Sequence, residues 1–185
     1  MRRYTGLMTV SLPLPVEIVS QAAQLDAAVK AMLGSRGIAL DTESNSFHHY
    51  PEQLCLIQIA TRHKVYVIDT IVLKEIASLK EVLADASIIK VVHGADYDIR
   101  SLDLHYGFRI RNLYDTNIAA RFAGLIRVGL AILIEDLLGV TIPKSKRLQR
   151  ADWGRRPLSA EALDYAAADV RHLFALRKTL DQRLH

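Results

Sequence analysis

The chain has 185 residues, half of them hydrophobic, which suits one domain with a sizeable buried core. Its 24 Lys+Arg against 20 Asp+Glu give a net charge of +4, a modest basic bias compatible with a polyanionic partner. The single cysteine, Cys55, excludes an intrachain disulfide and a cysteine-rich zinc site and points to a cytoplasmic setting, and no apolar run reaches the roughly 18 residues of a membrane span.

Residues 1–15, MRRYTGLMTVSLPLP, lack a long apolar stretch and read as a flexible segment ahead of a domain over 16–185. After the prolines, 16–19 suits a short edge strand. Ser20 is then placed to cap a helix carrying Ala22, Leu25, Val29, Met32 and Leu33, which Gly34 and Gly37 end. GIALDTE is the first main strand, and alternation puts Asp41 and Glu43 on one face with Thr42 on the other. LCLIQIAT and KVYVIDT flank the short link at Arg62 and His63 and read as a hairpin, with Cys55 a buried small hydrophobe. A helix over 73–83 leads to the strand IIKVVHG, and a helix starting near Asp98 buries Ile99, Leu102 and Tyr106. FRIRNLYDT makes the last short strand. The remainder is helical over 117–122, 130–138 and 159–180. A basic link, PKSKRLQRADWGRRP, precedes the last helix.

Three strands joined by hairpin-length links, then helix, strand, helix and strand, predict an α/β domain with a mixed five-stranded sheet and helices on both faces. DTESNSF contains no glycine, which excludes a dinucleotide-binding turn and a phosphate loop after the first strand. A hairpin directly after the acid pair argues against a phosphatase that alternates strand and helix from that point.

Four acids in three separated motifs, each at the edge of an apolar segment, Asp41 and Glu43 in the first, Asp98 in the second and Asp169 in the third, carry the chemistry. Setting them aside leaves 16 acids against 24 bases in the rest of the chain. Several carboxylates packed together repel or take up protons unless a cation joins them, and oxygen donors suit hard Mg²⁺ or Mn²⁺ ions. Two such ions about 4 Å apart promote hydrolysis of phosphodiesters, with Asp41 the natural bridging ligand. Tyr165 and Asp169, spaced i and i+4, share a helix face, so the phenol can orient water beside the carboxylate. Asp96 reads as a helix cap, Asp115 as a cap for the helix after it, and the adjacent His48 and His49 as a solvated loop. His93 reads as a satisfied histidine near the site, Trp153 as a packing anchor and Arg156 as a partner for an acid. The cations of the basic link are candidates for phosphate contact.

DTE at 41–43, KVVHGADYD at 90–98, DT at 115–116 and ADWGRRPLSAEALDYAAADV at 151–170 together resemble the three exonuclease motifs of the DEDD superfamily, in its ribonuclease D branch. The resemblance covers about 18–180 and implies a ribonuclease-H-like fold, two catalytic divalent metals (Mg²⁺ or Mn²⁺) and 3'-5' removal of nucleotides from single-stranded RNA ends. It carries the metal-binding acids onto Asp41, Glu43, Asp98 and Asp169 and the motif-three tyrosine onto Tyr165. Position 164, where another subdivision has histidine, is Asp164, so the resemblance is to the tyrosine subtype. Candidate substrate contacts are Thr42, His93, Lys144 and Arg150. A stacking role is not carried over to Phe47, because the segment 44–53 departs from the family pattern. A membrane partner is not expected, and a homo-oligomer, a preference for DNA and a silent nucleic-acid-binding module stay open.

Overall fold

Strand β3 (Leu54–Ala60) is buried on both faces along its whole length, and the other elements are arranged around it. The computed structural model describes residues 14–143 and 145–184, so the flexible segment expected over 1–15 lies, apart from Leu14 and Pro15, outside the described residues. Six strands form one sheet: β1 (Val16–Val19), β2 (Gly37–Ser44), β3, β4 (Val65–Asp69), β5 (Ile89–Val92) and β6 (Leu113–Asp115), in the spatial order β1-β4-β3-β2-β5-β6. The antiparallel run β2-β3-β4 is the expected pair of hairpin-like links. β1 joins β4, β5 joins β2 and β6 joins β5 in parallel.

The sheet has six strands where five were expected, because 16–19 pairs in register with Val65–Ile68 and becomes a full edge strand. At the other edge only Leu113–Asp115 is extended, since the positive φ of Asn112 (56°) turns the chain immediately before it.

Helices cover both faces. α1 (Ala22–Leu33), α2 (Leu79–Ala84) and α3 (Asp96–Tyr106) pack against Ile38, Leu40, Ile57, Ile59 and Ile68. α4 (Thr116–Phe122), α5 (Leu130–Leu138), α7 (Ala160–Arg171) and α8 (Leu173–Leu184) pack on Ala39, Leu56, Ala60, Val67 and Val91, with the short α6 (Lys146–Gln149) inside the basic link. Alternation along β2 and β3 therefore divides the core into two layers. α7 meets the sheet through Ala162, Ala166 and Ala167, whose small side chains let the helix lie close to β2, β3 and β4.

Other departures have local causes. Gln21 occupies the N-cap of α1 in place of Ser20, because the Gln24 carboxamide accepts from both backbone N–H groups at 3.0 Å. The helix expected over 73–83 begins only at Leu79. Asp69 Oδ1 accepts from the N–H groups of Ile71 and Val72 and holds the preceding segment in a turn, while Leu73 and Ile76 are buried all the same. The single helix expected over 159–180 is two, divided at His172: α7 packs on the sheet centre, whereas α8 packs on α4, α5 and β5. Ser159 caps α7 as expected, accepting from Ala162 N–H at 3.1 Å.

One ion pair fixes the basic link to the sheet. Arg156 donates from Nε and Nη2 to the two oxygens of Asp69, both at 2.6 Å, and from Nη1 to Trp153 O at 2.7 Å. Asp69 is buried and Arg156 half-buried, so removing the cation leaves a desolvated carboxylate without its partner. Arg156→Ala is therefore expected to lower unfolding stability by about 3 kcal/mol or more, measured by urea denaturation. A loss below about 1 kcal/mol, the value of a surface pair, contradicts this anchoring role.

Candidate active site

The register of β2 determines how the acids meet. Asp41 and Glu43 stand on the α7 face, and Thr42 points through to the α3 face. On α7, Tyr165 and Asp169 lie one turn apart on the side turned to β2. Asp41, Glu43 and Asp169 each offer a carboxylate oxygen, and the three oxygens lie within 4.8 Å of one another. Asp98, in the first turn of α3, is not one of these three: it stands on the other face, where Thr42 Oγ1 donates to its Oδ1 at 2.5 Å, and its charge acts on Asp41 and Glu43. The residue between the paired acids thus holds the fourth.

The electrostatics follow from this crowding. Burial drives the carboxyl of Asp41 well above the usual range, and the charges of Asp98, Asp169 and Glu43 push it further. Glu43 is raised by burial, then by Asp169 and Asp98. Burial lifts Asp98 to about 6 against the opposing Thr42 hydrogen bond, and lifts Asp169 to about 7. The Tyr165 phenol is raised by burial and then by Asp169, Glu43 and Asp41, which places its hydroxyl among the same acids and keeps it protonated at neutral pH. Among the described residues, the side-chain charges that act most on Asp41 and Glu43 are carboxylates. A set of desolvated oxygen donors fits hard divalent cations such as Mg²⁺ or Mn²⁺, which neutralise it and satisfy its lone pairs.

A second carboxylate organises the backbone beneath Asp98. Asp115 accepts from Gly94 N–H and Ala95 N–H at 2.9 Å, from Asn117 N–H at 2.8 Å and from Ile118 N–H at 3.4 Å. Burial raises its carboxyl, but these four donors outweigh burial and hold it below its ordinary value. Asp115 thus caps α4, as expected, and also ties down the turn that launches α3. Asp96, expected to cap α3, is instead exposed in the first turn and paired with Arg100 at 2.7 Å, while Ala95 occupies the cap. Only the sequence DT at the end of a short strand hinted at the larger role of Asp115.

The remaining candidates fall around this centre. His93 is half-buried and its Nδ1 bonds Thr116 Oγ1 at 2.9 Å, so one ring nitrogen is engaged in joining β5 to α4, and burial depresses its basicity. Arg150 is exposed, with its guanidinium 5.8 Å from the centre of the Phe47 ring. Lys144 lies outside the described residues. Trp153 is buried and packs against Tyr165 with ring centres 6.2 Å apart. The two loop histidines are engaged with the basic link: His48 Nε2 donates to Arg150 O at 2.8 Å, and His49 Nε2 lies 3.4 Å from Asp152. These contacts join the segment after Glu43 to the segment before α7, and no short-range pattern in the sequence announces them.

Residues 16–185 match the family described as 3'-5' exonuclease. Exosome complex component 10 of Rattus norvegicus is 38% identical over 160 residues, covering 86% of this chain and 18% of that protein. Ribonuclease D of Granulibacter bethesdensis is 36% identical over 169 residues, covering 90% of this chain and 42% of that protein, so the chain spans less than half the length of either relative. Among solved structures, the catalytic core of RRP6 from Trypanosoma brucei superposes with a TM-score of 0.86 at 33% identity, covering 98% of this chain and 49% of that one. Brucella melitensis NrnC with bound Mg²⁺ superposes with a TM-score of 0.75 at 28% identity, covering 94% of this chain and 82% of that one.

The raised carboxyls set the sign of a pH dependence. In the metal-free fold Asp98 and Asp169 protonate near 6 and 7, whereas unfolded aspartates titrate near about 4. Between those values the folded state holds protons that the unfolded state has released, so stability falls as pH rises through this window. Without divalent ions the Tm is expected to be higher at about pH 5 than at about pH 8, and Asp169→Asn flattens the difference. Calorimetry in chelator checks this, and a native Tm that climbs over the same range contradicts it.

Proposed function

Since the chain belongs to the 3'-5' exonuclease family, we propose that it hydrolyses single-stranded RNA from the 3' end and releases nucleoside 5'-monophosphates. The observation that carries the reading is the convergence of Asp41, Glu43 and Asp169, with Asp98 held to them through Thr42, beside a tyrosine that is protonated at neutral pH.

In this reading Asp41, Glu43, Asp98 and Asp169 would hold two divalent ions, Mg²⁺ or Mn²⁺. Bound there, such ions lower the pKa of water and stabilise charge on the leaving 3' oxygen. Tyr165 supplies a neutral hydroxyl that orients the attacking water towards phosphorus, and its packing on Trp153 fixes the ring. Attack forms the new phosphorus–oxygen bond, the bond to the 3' oxygen breaks, and the terminal nucleotide departs as its 5'-monophosphate.

For substrate the reading relies on charge and exposure. Arg150 stands exposed at the junction of the 45–53 loop and the basic link, with the exposed ring of Phe47 beneath it, a pairing that suits a phosphate together with a base. RNA is favoured over DNA by the relatives named ribonuclease D and exosome component. A domain over 16–185 is enough to hold every residue used here. The buried free Cys55, whose thiol burial pushes up to about 11, suits a reducing cytoplasmic setting. No helix among the described residues is long and apolar enough to cross a membrane.

Incubating 3'- and 5'-labelled RNA, with a DNA control, in Mn²⁺ tests the reading. Native protein is expected to shorten RNA from the 3' end, with Asp41→Ala reduced by about 10³-fold or more and Tyr165→Phe lowering kcat by about 10²-fold. Internal cleavage, or full activity in Asp41→Ala, overturns the mechanism. Binding without any turnover favours a silent nucleic-acid-binding module.

A further inference from the structure

Strand β3 reads LCLIQIA, and Gln58 is the only residue in it with a polar amide. An apolar side chain is what a strand buried on both faces normally takes. Gln58 is fully buried, and neither its Nε2 nor its Oε1 has a hydrogen-bond partner among the described residues. Buried polar groups are nearly always bonded, and an unpaired one opposes folding, so a residue of this kind in the middle of a sheet calls for a reason other than stability.

The register supplies one. Gln58 is the antiparallel partner of Asp41, with Val67 on its other side. Residues directly opposite on an antiparallel pair project from the same face with Cβ atoms about 5 Å apart, within reach of a carboxamide and a carboxylate. The face is the one that α7 covers, since Leu56, Ala60 and Val67 around Gln58 all belong to that layer. The amide therefore lies beneath α7 beside the acid at the centre of the cluster, with a free N–H donor and a free carbonyl.

We infer that Gln58 is a positioning residue for the carboxylate cluster: unpartnered in the metal-free fold, its side-chain amide donates a hydrogen bond to the Asp41 carboxylate when divalent ions bind, and so fixes that carboxylate for them. The inference rests on the reading of the cluster as the metal site given above. The charges of Asp98, Asp169 and Glu43 all act on Asp41, and the Gln58 amide is a neutral donor that steadies it without adding a counter-charge that would compete with the ions. The cost of an unpartnered amide in the metal-free fold is then retained for function, as buried polar groups at working sites often are.

The consequence is a pair of effects with opposite signs. Gln58→Met keeps the length of the side chain and removes both unmet polar atoms, so metal-free protein is expected to melt at a higher temperature than native. The same variant is expected to bind Mn²⁺ several-fold more weakly by calorimetry and to lose about 10-fold in kcat on RNA with KM unchanged. A purely structural glutamine gives the reverse first result, a lower metal-free Tm in Gln58→Met, and that outcome overturns the inference. Equal Mn²⁺ affinity in native and Gln58→Met overturns it as well. If native protein binds Mn²⁺ more tightly than the variant yet degrades no nucleic acid, the proposed reaction fails and the role of Gln58 stands. If native protein binds no Mn²⁺ at all, both fail.

Discussion

The burial of four carboxylates close together is the constraint on which the rest of this structure depends. Left to themselves, Asp41, Glu43, Asp98 and Asp169 would spread apart or take up protons: burial is the first cause of the upward shift at each carboxyl, and the charges of neighbouring acids add to it at Asp41 and Glu43. Holding them together requires a rigid frame, and each part of the frame is identifiable. A strand alternation places two acids side by side. A helix of small residues lies close enough to the sheet to bring in the third, and a threonine on the opposite face secures the fourth.

The frame continues outward through groups that never touch the acid cluster. Asp115 accepts four backbone N–H bonds and so joins the turn before α3 to the start of α4, fixing where Asp98 can stand. The bidentate pair of Arg156 with Asp69 anchors the link that carries Trp153, and Trp153 in turn backs Tyr165. Charge is handled differently in the two places. Where a cation is already part of the fold, the acid is satisfied. At the end of β2, by contrast, the side-chain charges that act most on Asp41 and Glu43 among the described residues are those of other acids.

Much of this was legible in the sequence, and the limits are physical. The acid pair on one strand face and the Tyr165–Asp169 pair on one helix face follow from the periods of strand and helix alone, and the hairpin after DTE follows from turn spacing. Long-range partners were not legible. Asp69 and Arg156 are 87 positions apart, and His48 and Arg150 are 102 apart. Asp96 and Asp115 were both read as caps, but a helix start can use a carboxylate from another strand, and Asp115 left Asp96 without that task. The break at His172 was invisible because apolar periodicity runs through it, and only the different surfaces met by α7 and α8 divide the helix. Gln58 was passed over inside an apolar run, since its meaning depends on which residue lies across the strand.

One site for two cations at the end of β2 is what the proposed nucleic-acid chemistry requires. The most direct test is a crystal grown or soaked with Mn²⁺ and measured for anomalous scattering. Two peaks enclosed by Asp41, Glu43, Asp98 and Asp169, with Asp41 bound to both, are the predicted result. An empty map among these four side chains at millimolar Mn²⁺, or ordered ions held by other carboxylates instead, would contradict it.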